Sequence, residues 1–322
     1  MSCIYSKPAD IPDRILCLNS LVPGTGVIPS GFCEVCPWYT EGIGNKRQEP
    51  SVKFRKDPCG CSEEEPTQFL YFHIPGPDNS FELRHSIRSV KQNFAGDSDI
   101  TVMGEAPNWY KGHFIPVPKI VRSKVRGHPH RSVHPDKMAF MDTANKMTIA
   151  TTHPEIQDEF IWMMDDNFLI RPTTLCDLQI PRYDPWYKAN RGKQWHALIA
   201  ATFAALKAKG KPNLQYGTHL PHHFEKQKMA ELFELYGYPG NLYLFEILYG
   251  NHYRTGEQPY GHNWQGVEYP QFLKRLLKRP RNSAEMETLT SASNVLNYQA
   301  VCYCNHVKAW LEAKFPEPST CE

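Results

Sequence analysis

An apolar run in this sequence ends on two adjacent acids. Phe160-Ile161-Trp162-Met163-Met164 leads directly into Asp165-Asp166-Asn167. The run is strand-like in length and bulk. A buried strand that stops on charge delivers that charge to the place where a sheet meets solvent. In an open α/β sheet, ligands bind outside the carboxyl ends of the strands. Carboxylate oxygens are hard ligands suited to Mg²⁺ or Mn²⁺, and such ions commonly also hold a substrate's phosphates. Asp165 and Asp166 are therefore candidate ligands of a divalent cation, with Asp166 also a candidate catalytic residue, in an enzyme that handles a phosphorylated or nucleotide-activated substrate. Asp-Asp-Asn is equally good turn chemistry, so the same residues also fit a plain chain reversal.

Two further groupings could join that acid pair. Asp78-Asn79 precedes Glu82-Leu83-Arg84-His85-Ser86-Ile87-Arg88-Ser89, where Arg84 and Arg88 stand four apart on one helix face. Guanidinium forks suit phosphate oxygens, and a helix start also favours them. Asn79, Arg84 and Arg88 are candidate donor-binding residues, against the alternative of surface arginines in salt bridges. The second grouping is the polar, histidine-rich loop with His219, Pro221, His222 and His223. Histidine can bind metal or move a proton near neutral pH. His219 and His222 are candidate general bases, with Asp136 and Asp142 as second choices.

The cysteines raise a separate chemistry. Cys33-Glu-Val-Cys36 and Cys59-Gly-Cys61 could supply four thiolates to a structural tetrahedral zinc site. This fits a cytoplasmic setting, where disulfides are disfavoured. Cys302 and Cys304 read as part of a buried helical stretch or as a second cluster of ligands.

The elements that must carry these residues are legible from periodicity. Residues 1–66 are irregular, dominated by Pro, Gly and Cys, and read as an appendage. From 67 to 322, Gln68–Ile74, Ile100–Met103, Phe114–Val117 and Phe160–Met164 read as strands. Ser80–Asn93, Pro135–Thr152, Asn190–Lys209, Glu225–Tyr236, Leu242–Tyr253 and Tyr269–Lys278 read as helices. Met138, Met141, Ala144 and Met147 form one helix face, read as core. Strand–helix–strand order over this length argues for an α/β sheet with parallel neighbours, followed by helical C-terminal additions. The chain has 322 residues, 41% of them hydrophobic and 22% charged, as in a packed soluble protein. No stretch reaches membrane-span length, and the start of the chain lacks a secretory pattern, so a cytoplasmic location is expected. Net charge is only +2, but basic residues cluster in Lys119–Lys137 and Lys274–Arg281. Such blocks either face a polyanion or form solvated surfaces.

Taken together, the motifs resemble the Stealth family of sugar-phosphate transferases. That family carries an Asn-Glu-Leu-Arg-Tyr-Ser-Leu-Arg-Ser-type stretch, matched by Phe81–Ser89. It also carries an apolar strand ending on an acidic pair, matched by Met164–Phe168, and a His-x-Pro-His segment, matched by His219–His222. The likeness spans about Phe69–Tyr253. The acidic strand and its helices also look like a glycosyltransferase of the GT-A fold, a Rossmann-like architecture. The resemblance implies a nucleotide-sugar donor held through Mn²⁺ or Mg²⁺ and a hydroxyl acceptor. The family's opening Asp-x-Val-Tyr-Thr-Trp-Val becomes Phe69–Pro75 here, without its aspartate. Plain sugar transfer is accordingly ranked ahead of sugar-1-phosphate transfer onto a cell-surface glycan. The basic blocks and the zinc reading suggest a polyanionic acceptor such as a modified base in phage-type DNA, in a host cytoplasm, with a glycan as the rival. A third reading is a non-catalytic, zinc-containing nucleic-acid-binding protein.

Overall fold

The computed structural model describes residues 6–8, 14–17, 27–29, 65–76, 78–120, 135–183, 194–238, 241–254, 258–259 and 272–322. The chain divides into two compact units, one of Met1–Cys61 with Gly261–Pro270 and one of Ser62–Tyr260 with Gln271–Glu322. In the first, β1 (Ser6–Pro8), β2 (Arg14–Cys17) and β3 (Val27–Pro29) form an antiparallel three-stranded sheet. The irregular reading of residues 1–66 missed these strands, each only three or four residues long. Cys33, Cys36, Cys59 and Cys61, and with them the zinc expectation, lie outside the described residues.

The second unit runs β4 (Thr67–His73), α1 (Phe81–Asn93), β5 (Ser98–Gly104), β6 (His113–Pro116), α2 (Pro135–Ala150), β7 (Glu159–Met163) and β8 (Asn167–Leu169). It continues with α3 (Leu175–Gln179), β9 (Arg182–Tyr183), α4 (Gln194–Ala208), β10 (His222–Glu225), α5 (Lys226–Tyr236) and α6 (Phe245–Tyr253). The last elements are β11 (Gln258–Pro259), β12 (Leu273–Leu276), α7 (Ser283–Thr290), β13 (Val295–Tyr298) and α8 (Asn305–Lys314).

Five strands form the main sheet in the order β10-β7-β4-β5-β6. All neighbours are parallel except β10, which runs antiparallel to β7. This is the expected α/β class with a mostly parallel sheet flanked by helices. Period-two alternation sends Leu70, Met103, Phe160, Trp162 and Phe224 to one core, which also takes Ala144 and Met147 of α2. Phe69, Tyr71, Val102, Ile161 and Met163 go to the other, against Leu83, Ile87 and Val90 of α1. Both faces are thus covered, as parallel strands require. The strand order reverses between β4 and β7, because β5 and β6 build away from one side of β4 and β7 joins the other. That reversal is a topological switch point, where the carboxyl ends of strands leave a crevice.

Two further readings are corrected. Within Tyr269–Lys278, the described residues from Phe272 onward are not helical. They contribute β12, which with β13 and β8 forms a mixed three-stranded sheet, so the C-terminal part is strand and helix together. The histidine-rich segment is not all loop, since His222–Glu225 is the edge strand β10. Cys302 lies buried in a single 3₁₀ turn, Ala300–Cys302, and Cys302, Cys304 and Cys321 are free thiols. Cys176 at the start of α3 is disulfide-bonded, a linkage the sequence reading set aside. Among the described residues, no helix is long and apolar enough to cross a membrane.

Candidate active site

The parallel register between β4 and β7 builds the site. Gln68 pairs with Phe160 and Tyr71 with Met163. Two residues further along each chain, His73 Nδ1 lies 3.0 Å from Asp165 Oδ2. The imidazole is 2% exposed and the carboxylate 37%, so a buried ring steadies a partly open acid. The far side of the ring, Nε2, is 2.8 Å from Ser80 Oγ. Asp165 and Asp166 do form a tight turn, with Asn167 N–H donating to Met164 O at 3.1 Å. The turn is also where the acids enter the crevice.

Behind the turn, α1 holds the chain in place. Ser86 Oγ donates to Asn167 O, Leu169 N–H donates to Ser89 Oγ at 2.9 Å, and Asn93 Nδ2 donates to Leu169 O at 2.7 Å. These side chains satisfy the edge of β8 that no strand covers. From the other edge, Asn297 Nδ2 donates to Asn167 Oδ1 at 2.9 Å and to Asp166 O at 3.3 Å. The serines of the Glu82–Ser89 stretch therefore serve the acid pair. Their spacing of three, with Asn93 four beyond Ser89, was the available signal for one polar face.

The arginines of that stretch go elsewhere. Arg88 Nε and Nη2 donate to the two carboxylate oxygens of Glu322 at 2.6 and 2.7 Å. Arg84 Nε lies 3.5 Å from Glu322 Oε2, and its guanidinium sits 4.7 Å from the Trp109 ring. Exposed Asn79, in a left-handed conformation with φ 57°, accepts Trp109 Nε1–H at its carbonyl. None of the three lines the crevice. The salt-bridge alternative thus describes Arg84 and Arg88, and a proposed phosphate role would need them released from Glu322.

The crevice itself has a volume of about 300 Å³. Asp165, Asp166, His219, His222 and Glu246 line it with an aromatic wall of Phe72, Phe140, Trp162, Trp195 and Phe245. Histidines and acids separated by more than fifty residues thus share one cleft, within the size range of ligand sites. Strand periodicity decides which histidines reach it. His222 is the register partner of Trp162 and stacks on it at 5.9 Å. His223 faces the opposite side, where it meets Glu159 Oε2 at 2.9 Å and Arg254 Nη2 at 2.7 Å. His219 adopts φ 52°, and its Nδ1 is buried without a hydrogen-bond partner.

The electrostatics of this edge are dominated by acids. Burial first, then the charges of Asp165 and Glu82, push Asp166 up to about 7. Burial and Asp165 likewise push Glu82 up to about 7, against a hydrogen bond with Tyr298. Burial, reinforced by Arg275 and His222, pushes His219 down to about 3. Burial and Arg254 do the same for His222. Both imidazoles are neutral at physiological pH and weaker bases than an efficient proton acceptor requires. Glu246, which sequence reasoning missed, is pushed up to about 7 by burial, partly opposed by a hydrogen bond from backbone N–H. Asp142 is no candidate base. It is sealed in the core 2.5 Å from Lys146 Nζ and accepts Ile120 N–H at 2.8 Å. Of the Lys274–Arg281 block, the charge of Arg275 bears on both Asp166 and His219. Of the other basic stretch, residues 121–134 lie outside the described residues.

The acid pair fits a hard divalent cation. Oδ1 of Asp166 is buried and has no hydrogen-bond partner, and two like charges stand side by side with Glu82 near enough to repel them. Among the described residues, no group of three or more His, Cys, Asp or Glu is arranged to hold a metal. Mg²⁺-type ions commonly use one or two carboxylates and complete their shell with water and substrate phosphates.

No family model and no curated protein sequence matches the chain. Solved structures do. The galactosyltransferase LgtC in complex with donor and acceptor sugar analogs matches with a TM-score of 0.43 at 10% identity, over 80% of this chain and 98% of that one. An active-site mutant of LgtC matches with 0.42 at 9%, over 79% and 98%. The apo bifunctional glycosyltransferase WbbM matches with 0.41 at 8%, over 79% of this chain and 50% of that one. Likeness this remote assigns no activity.

Proposed function

We propose that the protein is a metal-dependent glycosyltransferase of GT-A type, moving a sugar from a nucleotide-sugar to a hydroxyl acceptor. One observation carries the reading. The acid pair stands at the switch point of the sheet, at the mouth of an aromatic-lined cleft, with Asp166 Oδ1 buried and unpartnered. Asp165 and Asp166 would hold Mn²⁺ or Mg²⁺, and such an ion neutralises charge on a departing diphosphate. His73 orients Asp165, and the α1 serines with Asn297 fix the turn that aims both acids. Phe72, Phe140 and Trp195 offer flat faces to a ring and exclude water from the bond that breaks. His219 and His222, neutral in this setting, are hydrogen-bonding partners for donor or acceptor hydroxyls. Plain sugar transfer ranks ahead of the Stealth-type transfer of sugar phosphate because Phe69–Pro75 lacks the aspartate of the Stealth opening.

The test is thermal protection of the full chain by Mn²⁺ together with UDP-glucose, UDP-galactose, UDP-N-acetylglucosamine or GDP-mannose. A donor present at a hundredfold excess over its Kd adds about 2.7 kcal/mol. Asp166→Ala should abolish that gain and turnover together. Protection that survives D166A undiminished, or is absent from the wild type, sinks the assignment.

A further inference from the structure

The main cleft contains a buried acid that neither the cation nor the fold's own pairings use. Glu246 belongs to the first turn of α6, where the helix dipole favours negative charge. The residue is 6% exposed and lines the cleft with Asp165, Asp166, His219 and His222. Among the described residues, no cation pairs with its carboxylate. Gln215 and Trp195 approach it at Gly217. A methyl-sized group placed on Gly217 would lie 3.3 Å from Glu246 Oε1, 3.4 Å from Gln215 Oε1 and 3.5 Å from Trp195 Cζ2. Glu246, Gln215 and the edge of Trp195 thus meet at Gly217, whose N–H donates to Gln215 Oε1 at 3.1 Å. Trp195 continues the wall through Phe140, with ring centroids 5.0 Å apart.

This chemistry matches a saccharide, whose hydroxyls donate to oxygen acceptors and whose C–H faces lie on aromatic rings. It does not match a polyanion. Among the described residues, those lining the cleft include three carboxylates and no lysine or arginine, so a nucleic-acid backbone brought there would meet repulsion rather than the basic surface such ligands require.

Building on the proposed sugar transfer, we infer that Gly217, Trp195 and Glu246 form the acceptor subsite, that it takes an uncharged saccharide, and that Glu246 receives the proton of the attacking hydroxyl. In the step, the acceptor oxygen forms a bond to the anomeric carbon of the donor sugar. The bond from that carbon to the diphosphate oxygen breaks, and the nucleoside diphosphate leaves with the electron pair. The hydroxyl proton passes to a Glu246 carboxylate oxygen. A carboxylate held near neutrality by burial suits that task better than the two imidazoles.

The experiment uses the full chain with Mn²⁺ and whichever of the four named nucleotide-sugars protects it, carrying a radiolabelled sugar. The label is offered to an array of uncharged oligosaccharides and, separately, to duplex and single-stranded DNA. Glu246→Gln is compared with the wild type. The amide can still accept the backbone hydrogen bond but not a proton from the acceptor. Expected are labelling of saccharide spots, donor protection within twofold of wild type in E246Q, and transfer reduced by about a hundredfold or more. Trp195→Ala should raise the acceptor KM with the donor KM unchanged. Wild-type transfer rates in E246Q overturn the proton-acceptor role. Labelling confined to DNA, or no labelled saccharide, overturns the acceptor class. Absence of donor protection in the wild type instead defeats the sugar-transfer reading on which this inference stands.

Discussion

His73 and Asp165, 92 positions apart in the chain, meet at 3.0 Å because the β4–β7 register carries past the last paired residues. The same offset joins Tyr71 to Met163, whose Sδ lies 3.3 Å from the phenol oxygen. An acid oriented by a buried imidazole, itself steadied by Ser80, resembles the outer-shell partners that tune metal ligands. His73→Ala should weaken Mn²⁺ affinity about 10–100-fold. Titration of Mn²⁺ against thermal midpoint measures it, and unchanged affinity would remove His73 from the site's support.

The Arg88–Glu322 pair gives a prediction about stability rather than donor binding. Its side chains are 14% and 12% exposed, and the contact is two-pronged. Arg88→Ala should cost about 1.5–3 kcal/mol and leave nucleotide-sugar affinity intact. Burial raises the Glu322 carboxyl, but the Arg88 hydrogen bond, the backbone hydrogen bond from Ser319 and the charges of Arg88 and Arg84 together outweigh it and hold the group below its ordinary value of 4.5. A depressed acid stabilises the fold above its ordinary value, and that contribution fades as pH falls through the folded one. Denaturant titrations should therefore show a constant gap between wild type and R88A from pH 7 to about 5, narrowing at lower pH. A large loss of donor affinity in R88A would restore the arginine to phosphate binding.

Gly104 closes the neighbouring strand end under a tight constraint. Its φ is 131°, and a side-chain carbon there would lie 2.2 Å from the His73 carbonyl oxygen. Backbone cannot yield as a flexible side chain can. Gly104→Ala should destabilise by upwards of about 3 kcal/mol, read as a fall in thermal midpoint with loss of Mn²⁺ response.

Beneath the same strand end, Lys146, with its side chain 1% exposed, reaches Asp142 at 2.5 Å and the His73 carbonyl at 3.4 Å. Breaking one partner strands the other charge in the core. Lys146→Met should cost about 3–5 kcal/mol, and adding Asp142→Leu should recover much of it. Urea unfolding of the two variants distinguishes this from simple loss of packing, which would make the double variant worse.

Local pattern was enough to find β4, α1, β5, β6, α2, β7 and α5 within two residues at most ends, because alternation and helical spacing reside in short windows. It was also enough to single out Asp165 and Asp166, since charge directly after an apolar strand needs no partner to be noticed. It failed where a distant neighbour overrides local preference. Tyr269–Lys278 has helical spacing, yet β13, itself paired with β8, offers a strand partner and a buried face, and Leu273–Leu276 is drawn into a sheet.

The composition of the site divides along the same line. From sequence alone came an α/β chain with an acid pair at a strand end, a polar helix face and a histidine segment. Each is a property of residues within about ten positions of one another. Tertiary structure alone decided that His73 orients Asp165, that Glu322 takes the arginines, that His222 faces the cleft while His223 turns away, and that Glu246 is buried against Gly217. Those outcomes depend on strand register and on pairs separated by tens to hundreds of residues. Their energy exists only once the chain has closed, so no short stretch of sequence carries it.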